Sequence, residues 1–152
     1  MLSAVFFVVL DRVIKVISLR RPGNFQIIGD ILKFDPIENK NIAFSLPLNG
    51  VWLEVTIATA IIFLIFFFAD SIKKQTLVKA CFLLYVILGA ASNLYDRLVF
   101  GAVIDYLDLK YFTVFNLADV MIVGGAAGLI VLINRSGKKL NKIDPSVRSE
   151  FD

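Results

Sequence analysis

The sequence predicts an all-α membrane protein built as a bundle of four transmembrane helices, and three observations carry that prediction. Apolar residues make up 58% of the chain against 19% charged, with a mean hydropathy of +0.79, whereas soluble domains hold about 45–50% apolar residues. Three runs have the length and apolar character of a bilayer span, which takes about 20 residues. Lysines and arginines gather beside the ends of those runs, which fixes their sidedness.

The first element, 2–19, opens apolar and then carries Asp11, Arg12 and Lys15. A cleavable signal peptide would begin with basic residues and end in a small-residue cleavage site, and neither is found. Asp11 and Lys15 stand four apart, so one helical face holds both and each neutralises the other. The stretch reads as a first membrane helix, with a surface-lying amphipathic anchor as the alternative.

Residues 25–28 and 31–37 are compatible with short strands, separated by Gly29-Asp30 and closed by Pro36. They make 20–50 a small extracytoplasmic segment, too short for a domain of its own. The run 51–69 is apolar apart from Glu54 and shows no amphipathic stripe, as suits a helix facing lipid on most sides. Runs 77–97 and 111–133 complete the bundle, the former with Lys79 near its start, the latter with Asp119 inside it. Lys73, Lys74 and Lys79 flank one connector, and Arg135, Lys138, Lys139, Lys142 and Arg148 follow the last run. Both segments are therefore cytoplasmic, as are both termini. Residues 1–135 form one integral membrane domain, and 136–152 a polar cytoplasmic tail that frays.

Composition also limits the chemistry. The chain has no histidine and one cysteine, Cys81, which excludes Ser-His-Asp and Cys-His nucleophiles and argues against a structural zinc site. Cys81 lies in an apolar run and reads as a small packing residue. Carboxylates, lysines and hydroxyls remain.

The most informative stretch is 89–119. Asn93, Asp96 and Arg97 are spaced i, i+3 and i+4 near the outer end of the third helix, so they share a face. A loop, Gly101-Ala102-Val103-Ile104-Asp105-Tyr106, follows. Asn116 and Asp119, again i,i+3, place an amide and a carboxylate on one face early in the fourth helix. Antiparallel third and fourth helices bring their outer ends together, so Asp105 and Asp119 can meet at the outer edge of the membrane. Two carboxylates held close share a proton; one can then accept a proton from water while the other donates. An ionisable group at mid-membrane costs about 2.5–3.5 kcal/mol on insertion scales, which makes it a functional candidate. The alternative is structural: intramembrane Asp, Asn and Arg can simply tie helices together. That reading is open for Asn93, Asp96, Arg97 and Asp11. Gly124 and Gly128 form a G-x-x-x-G pair, read as close helix packing. Trp52 and Tyr111 read as interface anchors; Tyr95 and Tyr106 fit either an anchor or a site-lining role.

Five blocks in order resemble the lipoprotein signal peptidase (signal peptidase II) family, intramembrane aspartyl proteases of bacteria. They are Asp11-Arg12-Val13-Ile14-Lys15, Asn39-Lys40-Asn41-Ile42-Ala43-Phe44, Ser92-Asn93-Leu94-Tyr95-Asp96-Arg97, Gly101-Ala102-Val103-Ile104-Asp105-Tyr106 and Phe115-Asn116-Leu117-Ala118-Asp119. The chain departs from the family's usual pattern at Ile14 and Asn41. The resemblance implies a four-helix bundle with a small extracytoplasmic β-cradle and a short amphipathic helix lying on the membrane. It implies Asp105 and Asp119 as the catalytic dyad, with Asp11, Lys15, Asn39, Asn93, Asp96, Arg97 and Asn116 shaping the site. The implied substrate is a diacylglyceryl-modified prolipoprotein, cut just before its lipidated cysteine. No metal or other cofactor and no nucleic acid is implied. The enzyme would act as a monomer amid membrane lipid, in the bacterial cytoplasmic membrane, its site toward the outer leaflet. Two rivals come from other classes: a proton-coupled transporter or relay using Asp11, Asp96 and Asp119, and a Ser-Lys hydrolase with Lys15 as base and Ser18 or Ser92 as nucleophile.

Overall fold

A computed structural model of the chain describes residues 1–20, 23–40 and 50–140, with side chains described to residue 135. Its elements run α1 (Leu2–Arg20), β1 (Phe25–Ile28), β2 (Leu32–Asn39), α2 (Val51–Lys73), α3 (Leu77–Phe100), β3 (Val103–Leu109), β4 (Val114–Phe115) and α4 (Leu117–Leu140). The helices pack chiefly as α2 on α3, α3 on α4, and α1 against both α3 and α4.

Among the described residues, three helices are long and apolar enough to cross a membrane: α2, α3 and the 117–135 part of α4. The 23 residues of α2 rise about 34 Å at 1.5 Å each, enough for a hydrocarbon core of about 30 Å. No part of its most apolar window is buried in protein, in line with the missing stripe. The α1 helix turns polar side chains inward: Asp11, Lys15 and Ser18 are buried, and the helix packs on α3 and α4.

The four strands form one antiparallel sheet in the order β1-β2-β3-β4. Sequence reasoning found its first hairpin and missed its second. Asp105 lies in a strand, not in a loop. Gly101 makes that possible: its left-handed φ of 72° closes α3, its N–H bonding the Arg97 carbonyl at 2.9 Å, so the chain re-enters as β3 almost at once. The fourth helix also begins later than the expected residue 111. Residues 111–115 are hairpin instead, and the helix runs past 133. Its start is set by Asn116, whose side-chain oxygen accepts the Asp119 N–H at 2.9 Å while an Asp119 oxygen accepts the Asn116 N–H at 3.1 Å. This reciprocal capping box ends the strand and begins the helix at one residue. Pro36 sits in the bulge of β2 between Phe34 and Ile37, where a missing N–H costs no ladder bond. Residues 41–44 of the outer-loop block, the region 41–49 and the tail after 140 lie outside the described residues. The expected amphipathic helix is not found among the described residues.

Gly89 and Gly125 set the closest approach of α3 and α4. A Cβ on Gly89 would stand 2.5 Å from the Ala118 carbonyl oxygen, and one on Gly125 2.8 Å from that of Phe82. Gly128 packs under the Phe82 ring, but Gly124 meets nothing within 4 Å. The close-packing pair is thus Gly125 with Gly128, one position away from the pair read in the sequence.

Candidate active site

At the end of the bundle where α3 stops and α4 starts, polar side chains from four elements converge. Asp105 on β3 is buried, 2% exposed. Its two oxygens accept one side-chain amide each, from Asn116 at 2.7 Å and from Asn39, the last residue of β2, at 2.9 Å. Asp119, half-buried in the first turn of α4, accepts the Asn93 amide at 2.7 Å and the Asn116 backbone N–H. One residue, Asn116, therefore binds both carboxylates. Its second amide hydrogen goes to the Asn93 oxygen at 3.1 Å, so every donor of this fully buried side chain is used.

Burial pushes the Asp105 carboxyl up to about 6; the Asn39 and Asn116 amides oppose the shift and the nearby Asp119 charge adds to it. Each aspartate is held by amide donors: Asp105 by the Asn39 and Asn116 side chains, Asp119 by the Asn93 side chain and the Asn116 backbone. Arg97 lies at the rim, within electrostatic reach of Asp119, Asp105 and Glu54, its guanidinium 3.5 Å from the Asn93 carbonyl.

Behind this cluster stands an ionic one. The Lys15 ammonium is 3.0 Å from Asp11, 2.8 Å from Asp96 and 2.9 Å from the Asn93 oxygen. Three donors meet three acceptors, which satisfies the group completely. Arg12 completes the charge balance on Asp96 at 2.5 Å and lies over the Tyr95 ring. The i,i+4 pairing of Asp11 with Lys15 is as the spacing predicts.

Residues that sequence reasoning left out or open also belong here. The Tyr106 hydroxyl donates to Asp11 at 3.0 Å and accepts the Leu117 N–H at 3.0 Å. Burial and the Asp11 charge push the phenol up, so it keeps its proton. Asp11 also accepts the Ala118 N–H at 3.2 Å and the Ser92 hydroxyl at 2.6 Å. The first three N–H groups of α4, which no helix can satisfy itself, are thus bound by Tyr106, Asp11 and Asn116 in turn. A strand reading of 103–109 would have exposed the role of Tyr106, because its side chain then points opposite to that of Asp105. Arg12 stands in the quoted blocks without a role, and Ser92 only as a nucleophile of the rival Ser-Lys reading.

The same geometry weighs against the rival readings. Ser92 is bound to Asp11 and Ser18 to its own helix at Ile14, while Lys15 is held by three other acceptors. Asp11 and Asp96 are locked in ion pairs with Lys15 and Arg12 rather than strung along a path.

A family description, signal peptidase II, matches residues 3–135. The chain belongs to the signal peptidase II family. Among its relatives, the lipoprotein signal peptidase of Clostridium novyi is 26% identical over 90% of this chain and 98% of its own length. That of Halothermothrix orenii is 31% identical over 83% and 88%, and that of Caldicellulosiruptor bescii 40% identical over 74% and 73%. In fold, the signal peptidase II chain matches a bacterial membrane enzyme solved in meso at 2.3 Å resolution, with a TM-score of 0.79 and 23% identity over 94% of this chain and 92% of that one. A second such enzyme, solved at 1.9 Å, gives a TM-score of 0.71 at 25% identity over 87% and 90%.

Proposed function

We propose that this chain is an aspartic endopeptidase that removes signal peptides from diacylglyceryl-modified prolipoproteins, with Asp105 and Asp119 as its catalytic pair. The observation that carries the assignment is the shared ligand: Asn116 binds one carboxylate through its side chain and the other through its backbone. Carboxyls tied to one residue stand close enough to share a proton and a water.

Asp105, the more deeply buried of the two carboxyls at 2% exposed, is assigned the shared proton. Asp119, half-buried in the first turn of α4, faces the water and acts as base. Asp119 takes a proton as the water oxygen attacks the carbonyl carbon before the lipidated cysteine, and Asp105 protonates the carbonyl oxygen. Collapse of the tetrahedral intermediate breaks the C–N bond. The departing cysteine nitrogen takes a proton from the dyad, leaving a carboxylate on the signal peptide. The seven other polar residues act as support: Asn39, Asn93 and Asn116 orient the carboxylates, Asp11, Lys15 and Asp96 hold the frame, and Arg97 guards the rim.

Four spans with both termini cytoplasmic fit the lysines: Lys73, Lys74 and Lys79 lie at the end of the bundle opposite the site, which supports a site facing the outer leaflet. In this reading α1 is the fourth span, its charges turned onto α3 and α4, and residues 1–135 act as one monomeric unit with acyl chains reaching the site from lipid. The test is separate Asp105→Asn and Asp119→Asn substitution, assayed by cleavage of a lipid-modified prolipoprotein. Each variant is expected to be folded and inactive. A normal rate in either one would falsify the mechanism.

A further inference from the structure

Arg12 follows Asp11 directly, so it leaves α1 about 100° round the axis from it, at the edge of the face that holds Asp11 and Lys15. Its side chain is 28% exposed, whereas those of Asp11, Asp96 and Lys15 are buried. The three buried groups carry two negative charges and one positive. Arg12 supplies the missing positive charge, and for neutrality alone a lysine would serve.

The geometry asks for more than neutrality. Nη2 of Arg12 donates to Oδ1 of Asp96 at 2.5 Å and stands 3.8 Å from Oδ2 of Asp11. The guanidinium carbon lies 5.1 Å from the centre of the Tyr95 ring, and Tyr95 in turn meets Phe100 edge-on at 6.4 Å. Nε is buried without an acceptor among the described residues. The orientation of the group therefore follows Asp96 and Tyr95 and leaves one donor unbound. A planar guanidinium can pair with a carboxylate along its edge while lying over an aromatic face; a compact ammonium holds no such fixed pose.

Both contacts lead to β3. With Oδ1 taken by Arg12, Oδ2 of Asp96 faces Lys15 at 2.8 Å and accepts the Ile104 N–H at 3.4 Å. Ile104 adjoins Asp105. Phe100 is the last residue of α3, and only Gly101 and Ala102 separate it from Val103, the first of β3. Arg12 thus ties α1 to the corner where α3 becomes β3. Without it, Oδ1 of a fully buried carboxylate loses this donor, and a carboxylate that turns to find another draws Oδ2 away from the Ile104 N–H.

We propose that Arg12 is a positioning residue for the peptidase reaction: held between Asp96 and Tyr95, it orients the Asp96 carboxylate and, through the Ile104 N–H, places Asp105. The inference rests on the reading of Asp105 and Asp119 as the catalytic pair.

The test compares Arg12→Lys, Arg12→Met and Tyr95→Leu in the full chain in nanodiscs. The readouts are steady-state cleavage of a lipid-modified prolipoprotein, thermal unfolding, and amide hydrogen exchange at Ile104. Arg12→Lys keeps the charge and is expected to retain its melting temperature and KM, yet to lose about 10-fold in kcat and to exchange the Ile104 N–H faster. A shift of a fraction of an ångström accounts for that loss, since about 1 Å costs on the order of 100-fold. Arg12→Met is expected to lose about 100-fold in kcat. Tyr95→Leu keeps the ion pair and should lose less than Arg12→Met; an equal loss would give the role to the ring and overturn the assignment to Arg12. A wild-type kcat in Arg12→Lys would show that charge alone suffices, and the proposal fails. It fails also if kcat drops while Ile104 exchange is unchanged, or if KM rises at constant kcat, which would set Arg12 against the substrate. The Asp105→Asn assay separates the two levels. An inactive Asp105→Asn enzyme beside a fully active Arg12→Lys enzyme sinks this proposal alone, whereas an active Asp105→Asn enzyme sinks the dyad and this inference with it.

Discussion

Replacing Gly89 by alanine puts a methyl group against backbone that carries half of the proposed dyad. The new Cβ would stand 2.5 Å from the Ala118 carbonyl oxygen, 2.9 Å from Cγ1 of Ile122 and 3.2 Å from Cβ of Met121. The first is about an ångström short of ordinary van der Waals contact, and its neighbour is main chain, which cannot swing aside as a flexible side chain does. The helices must part, or the first turn of α4 must slide. Overpacking of this kind costs about 1–3 kcal/mol in stability. Ala118 adjoins Asp119, so the same slide moves a carboxylate whose partner on β3 stays in place. A displacement of about 1 Å in a reacting group costs on the order of 100-fold in rate. The assay is cleavage of a lipid-modified prolipoprotein by the purified protein in nanodiscs, with thermal unfolding measured in parallel. Gly89→Ala is expected to lower kcat about 100-fold with a smaller change in KM. Gly124→Ala, which meets nothing within 4 Å, controls for alanine's higher helix propensity and should leave kcat unchanged. An unimpaired Gly89→Ala enzyme would refute the claim that this crossing positions Asp119.

Three further outcomes follow from the site. The folded Asp105 carboxyl titrates near 6 against 3.8 for the ordinary group, a raised value. Its contribution to stability is therefore full below 3.8 and is lost as pH rises to about 6, a swing of about 3 kcal/mol. Asp105→Asn should flatten that window in pH-dependent thermal melts, and the wild-type kcat/KM should fall as pH rises through about 6 and the shared proton leaves. Lys15→Met strands Asp11 and Asp96 with Arg12 alone and should destabilise the chain by about 3–5 kcal/mol, read by chemical denaturation in detergent. Tyr106→Phe removes the hydroxyl that joins Asp11 to the Leu117 N–H; stability should drop by about 1–3 kcal/mol and kcat should fall while KM holds.

The side chains of the site were legible because their spacing is helical. Asp11 with Lys15, Asn93 with Asp96, and Asn116 with Asp119 each lie one turn apart, and each pair or trio appears where that period puts it. The strands β3 and β4 were not legible, for a physical reason. Val103–Leu109 and the Tyr111–Phe115 segment merge in hydropathy with the helix that follows, and nothing apolar distinguishes Tyr111 from Met121. The boundary is a hydrogen-bonding event, the Asn116–Asp119 capping box, and the i,i+3 spacing of the two residues fits a shared helical face as well as a cap. The glycine pair was displaced by one residue because a pattern of small residues does not say which face another helix touches. Tyr106 stayed ambiguous for want of the strand that turns it inward.

The buried ionic cluster looks costly beside the small dyad it backs. Removing ions from water costs several kcal/mol each even when they are paired, and apolar residues of the same volume would often be more stable. What they gain lies in where their second bonds go. Asp96 accepts the N–H of Ile104 at 3.4 Å, and Asp11 that of Ala118 at 3.2 Å. Ile104 precedes Asp105, and Ala118 precedes Asp119. Each acid in the cluster grips the main chain one residue before a proposed catalytic acid, and Lys15 spans the two acids while also binding Asn93, which holds Asp119. The separation of the dyad is thus tied to the geometry around one ammonium group, which tolerates little drift because all three of its protons are committed. Leucines in the same places would pack as well, yet they would leave the Ile104 and Ala118 N–H groups unbound, and β3 and the first turn of α4 free to move apart.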